Sequence, residues 1–127
     1  VMQVCLLFSM LLVSGFITKV NAQTQLKPFT ALVSADESNR YFEADLSQLP
    51  SFFEKAYFLD LVFKDTIVVV QNSSLKNKLL PFLCNAKYDT KQVLTRMEDI
   101  KTSVLKSSAS MSESEKSKTI KKFEKYR

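Results

Sequence analysis

The chain has 127 residues, a net charge of +5, no histidine and a single glycine, Gly15. Without histidine, Ser-His-Asp and Cys-His nucleophile systems and imidazole-ligated zinc sites cannot be assembled. Without glycine beyond residue 15, phosphate-cradling loops of the P-loop or dinucleotide type are excluded as well.

Val4 to Ile17 is apolar except for Ser9, Ser14 and Gly15. It is shorter than the run of about 18 residues expected of a membrane span. Val20 and Ala22 place small side chains at the −3 and −1 positions of a signal-peptidase site, so residues 1–22 read as a signal peptide cut after Ala22. The segment before Val4 has no Lys or Arg and Lys19 sits near the cut, so an uncleaved anchor and a buried helix stand as alternatives. Export, periplasmic or secreted, is the expected location. Residues 23–127 then hold one cysteine, Cys84, and no internal disulfide can form. Cys84 lies in the apolar run PFLC and reads as a small core residue.

Residues 23–39 are mostly polar and contain Pro28. They read as an extended leader, or as an edge strand around Phe29 to Val33. From Arg40 to Leu46 the pattern alternates, with Phe42, Ala44 and Leu46 on one face and Glu43 and Asp45 on the other, which predicts a half-buried strand. Ser47 can cap a helix starting at Gln48, with Pro50 in its first turn and Leu49, Phe52, Phe53 and Ala56 on one face. The stretch Tyr57 to Asn72 fits two periods. Phe53, Ala56, Leu59 and Phe63 share a helical face, but Tyr57, Leu59, Leu61 and Phe63 also alternate, and Thr66 to Val70 is almost wholly β-branched. The reading is a pair of strands, 58–64 and 66–72, joined at Lys64-Asp65. Asp60, Lys64 and Asp65 argue against a membrane span there.

Asn72-Ser73-Ser74 matches the N-glycosylation acceptor pattern and reads more simply as a polar turn. Lys78 to Cys84 contains Pro81, so it reads as an edge strand or irregular segment, not a central strand. The clearest helix is Asp89 to Leu105. Asp89 and Gln92 have capping-box spacing, Val93, Met97, Ile100 and Val104 form a stripe, and Leu94 and Leu105 widen it. Ser107 to Ser114 reads as a serine-rich linker, and Ser112 with Glu115 as a second capping box before a basic helix.

These elements predict an α+β fold: a two-layer sandwich with an antiparallel sheet and helices on one face. The division is 1–22 signal peptide, 23–39 leader, 40–106 α+β domain, and 107–127 linker and basic helix. The β-α-β-β-α order over residues 40–105 is similar to the split βαβ of ferredoxin-like heavy-metal-associated domains. Those domains hold metal through Cys-x-x-Cys in the first strand–helix loop. Here that loop reads DLSQLP, so the resemblance implies the fold and no metal role. The signal ending VNAQ, the short α+β body and the Lys-rich tail also resemble small exported bacterial proteins without assigned activity.

Charge separates along the chain. Residues 23–109 carry 11 basic and 10 acidic side chains, and residues 110–127 carry six and three. A nearly balanced body is not the one-face basic footprint of a nucleic-acid binder. The expected function is therefore that of an exported, non-enzymatic domain without cofactor or metal, binding a protein or cell-envelope component through its sheet face or tail. The alternative is peripheral contact with an anionic membrane or polysaccharide through Lys116, Lys118, Lys121, Lys122, Lys125 and Arg127. Membrane contact would then be transient, through the signal peptide, or weak, through the tail. A third reading, carboxylate hydrolysis, would draw on Glu43 with Asp45 or Glu98 with Asp99. The seven aromatics between Tyr41 and Phe63 read as core, with an exposed apolar patch expected only if Phe58 or Val62 lay open beside Tyr41.

Overall fold

A chain without glycine past residue 15 must reverse direction by other means, and here Asp and Asn side chains do it. The computed structural model describes residues 27–127; the expected signal peptide lies outside the described residues. Among the described residues no φ is positive. Instead, an Asp or Asn Oδ1 repeatedly accepts the N–H two residues on. The pairs are Asp36 with Ser38 (2.9 Å), Asp45 with Ser47 (3.0 Å), Asp65 with Ile67 (2.9 Å), Asn72 with Ser74 (3.0 Å) and Asn85 with Lys87 (2.9 Å). Each side chain stands in for a turn carbonyl and needs no left-handed residue.

Strands β1 (Thr30–Ala35) and β2 (Asn39–Asp45) form a hairpin around the Asp36 turn. A 3-10 turn, Leu46–Gln48, leads to helix α1 (Phe52–Lys64). The two-residue strand β3 (Val69–Val70), strand β4 (Leu79–Asn85) and helices α2 (Thr90–Ser110) and α3 (Glu113–Lys122) follow, and a last 3-10 turn, Glu124–Tyr126, ends the chain. The sheet order is β1-β2-β4-β3 and each adjacent pair is antiparallel. Strands β2 and β3 are thus parallel to one another, joined through α1 and separated by β4. This is the split βαβ arrangement, with β1 as an added edge strand beside β2. The architecture is α+β, with a four-stranded antiparallel sheet and helices on one face.

The covered face explains the core. Phe42 and Ala44 on β2 and Leu80, Phe82 and Cys84 on β4 are all buried, and Phe42 stacks on its cross-strand partner Phe82 at 5.2 Å. Above them lie Phe58, Leu59 and Val62 of α1 and Val93, Met97 and Val104 of α2. Phe29 meets Phe58 edge to face at 5.2 Å. Burying a side chain of this size contributes about 2–3 kcal/mol, so this cluster carries the fold. Arg40, at the hairpin end of β2, donates to the carbonyls of Ala86 (2.6 Å) and Tyr88, and so anchors the β4–α2 loop.

Several expectations are corrected. The hairpin over 58–64 and 66–72 is not formed, because 52–64 is one helix and only Val69–Val70 pairs as strand. Helix α1 is packed by the sheet, α2 and α3, so its apolar residues spread round the axis and mimic alternation. The helix expected from Gln48 starts at Phe52 behind Ser51, and Ser47 belongs to the 3-10 turn capped by Asp45. Of the two readings of residues 23–39, the edge strand is the one formed, as β1. Strand β4 is central despite Pro81. The Pro81 carbonyl accepts from Gln71 N–H at 2.9 Å, so the side of Pro81 that lacks a donor faces β3, which ends there, and not β2.

Helix α2 runs through Ser110, so most of the expected linker is helical. Ser108 is buried and donates to Glu54 of α1, which is also buried. Asp89 starts α2 without a side-chain cap, and Leu105 is 39% exposed, outside the core stripe. The Ser112–Glu115 capping box is formed as expected. The C-terminal segment docks: Phe123 is 3% exposed within the core cluster, and the Tyr126 carbonyl accepts from Leu75 N–H at 2.6 Å.

Candidate functional site: the uncovered face of the sheet

Alternation on β4 sends Leu80, Phe82 and Cys84 inward and Leu79, Pro81 and Leu83 outward. An antiparallel sheet with one wet face ordinarily carries polar residues at the outward positions. Here the outward row of this inner strand is apolar from Leu79 through Leu83 and turns polar only at its end, Asn85. Leu83 stands between Tyr41 on β2 and Val69 on β3, and Pro81 stands opposite Glu43. Val69 is 56% exposed and Leu79 37%. Tyr41, Pro81 and Leu83 are half-buried, and among the described residues the helices pack on the other face of the sheet. The Tyr41 hydroxyl donates to Asp36 Oδ2 at 3.0 Å, which fixes the ring at the hairpin end of the face. The N–H groups of Asn39 and Ser38 and the Tyr41 hydroxyl together hold the Asp36 carboxyl below the usual aspartate range.

The apolar patch therefore exists, but with other residues than those the sequence suggested. Phe58 and Val62 are fully buried in α1, while Tyr41 has Leu83 as its neighbour. The missed signal was Leu-x-Pro-x-Leu at 79–83, which alternation would have placed outward once Leu80, Phe82 and Cys84 were taken as core.

The carboxylates are placed as follows. Glu43 and Asp45 both line a shallow depression of about 220 Å³ beside Lys27, Lys78 and Leu79. Asp45 is committed to the turn: Oδ1 accepts from the Ser47 N–H and hydroxyl (3.0 and 2.5 Å). Burial pushes its carboxyl up, but the Ser47 and Gln48 hydrogen bonds and Lys78 outweigh it and leave it below the usual range. Glu98 and Asp99 are exposed on α2. Asp99 lines an open groove of about 600 Å³ between α1 and α2, with Leu61, Ile100 and Arg96. There Asp65 accepts from Arg96 Nε at 2.6 Å, and that hydrogen bond raises the guanidinium pKa further. Both Asp65 oxygens are thereby engaged, one by Ile67 N–H and one by Arg96. Among the described residues no group of three or more Asp, Glu or Cys side chains is gathered in metal-binding proximity.

The six basic tail residues diverge. Lys116 is half-buried with its ammonium 5.5 Å from the Phe53 ring centre, and Arg127 lies 4.2 Å over Phe52 while pairing with Glu124 at 2.9 Å. These two hold the tail to α1. Lys118 and Lys121 are exposed on the outer side of α3 beside Ser114 and Ser117. Lys122 reaches Asp60 at 3.6 Å, and Lys125 lies 5.3 Å from the Tyr126 ring centre. Among the described residues no helix is long and apolar enough to cross a membrane. No protein-family model, no curated protein and no solved structure matches the chain.

Proposed function

We propose that this chain is an exported, non-enzymatic binding module that seats a protein or cell-envelope component on the uncovered sheet face. The observation that carries this reading is the apolar outward row Leu79, Pro81 and Leu83 on the central strand, flanked by Tyr41 and Val69. A rigid, twisted sheet backed by a packed core presents such a row without ordering cost on binding. Glu43 in the middle of the face gives the partner one charged group to match.

Site-specific photocrosslinking tests it. Benzoylphenylalanine placed at Leu83 should give light-dependent adducts with a component of the native envelope fraction, and the same group at exposed Lys91 on α2 should not. Tyr41→Lys should abolish the adducts at a cost in stability of about 1–2 kcal/mol, since it removes a half-buried ring and its hydrogen bond to Asp36 but leaves the core intact. Equal adducts from both positions, or none from Leu83, would refute the sheet face as the docking surface.

A further inference from the structure

On the helical layer, α1 and the tail together build a second surface that neither makes alone. Phe63, near the end of α1, is 46% exposed although it stacks on Phe123 (centroids 6.3 Å) and meets Tyr126 edge-on (5.7 Å). The three rings and Asp60, Lys122 and Lys125 border a depression of about 230 Å³. Asp60 is the acidic group there, and it is already shared by Lys64 (3.2 Å) and Lys122 (3.6 Å). Lys64 and Lys125 are exposed beside it, and Lys118 and Lys121 are exposed on the outer side of α3, so the surface running from the ring across α3 carries an excess of positive charge. We infer that this patch docks on an anionic lipid surface, with Phe63 entering the headgroup boundary and the lysines of α3 pairing with lipid phosphates.

Charge and apolarity are both needed for that assignment. A ring of lysines alone would suit any polyanion. A half-exposed aromatic ring at its centre gains from the headgroup–acyl boundary, while one face of the Phe63 ring is already taken by Phe123, which leaves less of it for flat stacking on a sugar. Lysine stems can lie along that boundary with their ammonium groups at the phosphates. The contact differs from the tail contact expected from the sequence. Two of the six basic residues, Lys116 and Arg127, are turned onto α1 rings, and α1 supplies the apolar element and Lys64. The surface lies on the other layer from the Leu79–Leu83 row, so a lipid-bound molecule would still present its sheet face.

The chain has no tryptophan, so Phe63→Trp in the full chain gives a fluorescence reporter confined to this site. Binding by another part of the chain does not move its emission. With vesicles of equal parts phosphatidylglycerol and phosphatidylcholine in about 0.1 M salt, where the screening length is about 10 Å, the emission should shift to the blue and be quenched by brominated acyl chains. Pure phosphatidylcholine vesicles should leave it unchanged. Raising salt to about 1 M, or replacing Lys118, Lys121, Lys122 and Lys125 with Gln, should weaken the apparent affinity about tenfold or more. Circular dichroism of the variants separates loss of binding from loss of fold. No blue shift with the anionic vesicles overturns the inference. The same shift with dextran sulfate as with anionic vesicles also overturns it, and assigns the patch to a soluble polyanion.

Discussion

Removing the Phe123 ring tests whether the C-terminal segment is part of the folded body. Phe123 is 3% exposed and touches Phe63 and Tyr126, so Phe123→Ala deletes a buried ring from the core cluster. Buried Phe→Ala changes typically cost 3–5 kcal/mol, the larger values where the walls cannot relax. Here one wall is the Phe63 ring, which is 46% exposed and free to fold inward. The expected cost is therefore at the low end, about 3 kcal/mol. A domain of about this size gains only about 5–15 kcal/mol in all from folding, so the variant should stay folded but lose a large share of its margin. In a thermal melt followed by circular dichroism, Tm should fall by about 12–24 °C. Leu105→Ala serves as the control: that side chain is 39% exposed on α2, and its removal should cost no more than about 1 kcal/mol. A Phe123→Ala cost under about 1 kcal/mol, or one no larger than that of Leu105→Ala, would mean the tail is undocked in water.

Other measurements address the polar interior. Ser108→Ala removes a hydroxyl that donates to the buried Glu54 carboxylate; it should cost about 1.5–3 kcal/mol, and a double-mutant cycle with Glu54→Gln in urea should show coupling of about 1–2 kcal/mol. Glu54 also sets an acid limit. Burial raises its carboxyl, but the Ser108 and Ser51 hydroxyls, its own N–H and Lys116 overcome that and leave it below the usual glutamate range. Because the folded value lies below the unfolded one, its contribution is present at neutral pH and is lost as pH falls through the folded value; Asp45 behaves alike. Stability from urea titrations should therefore be flat above about pH 5 and fall below it, less steeply in Glu54→Gln. The Cys84 thiol is fully buried and pushed up to about 11, first by burial and then by Asp65, so a thiol reagent should label it only after denaturant unfolds the chain. Ser112→Ala, which breaks the α3 capping box, should cost about 1 kcal/mol in the same titrations.

Elements with one wet face were readable before any coordinates. The alternation of Phe42, Ala44 and Leu46 located β2, and the stripe of Val93, Met97 and Val104 located α2. The reading failed where a segment is covered on several sides. Helix α1 buries Phe53, Ala56, Phe58, Leu59 and Val62, too wide an arc for a single stripe, and alternation then fits by chance. Pro81 misled for a related reason, since a proline is excluded from a central strand only when its missing donor faces a long neighbour. The serines at 107 and 108 signalled a linker by composition, yet Ser108 is held by a carboxylate 54 positions earlier in the chain. No local pattern reports such a partner. Little of the candidate face was legible: Cys84 reads as core, but with Pro81 marking 78–84 as an edge or irregular segment, neither the inward set of β4 nor its apolar complement is assigned.

The rims of the sheet bear on how this molecule can meet others. On one side β3 is two residues long, and the proline opposite its end denies it a partner for further growth. On the other side β1 is irregular at Val33, where the register slips against β2. Short or bulged outer strands resist zippering with foreign backbone. Borders blunted in this way are poorly suited to edge-to-edge pairing, and this favours association through side chains presented broadside.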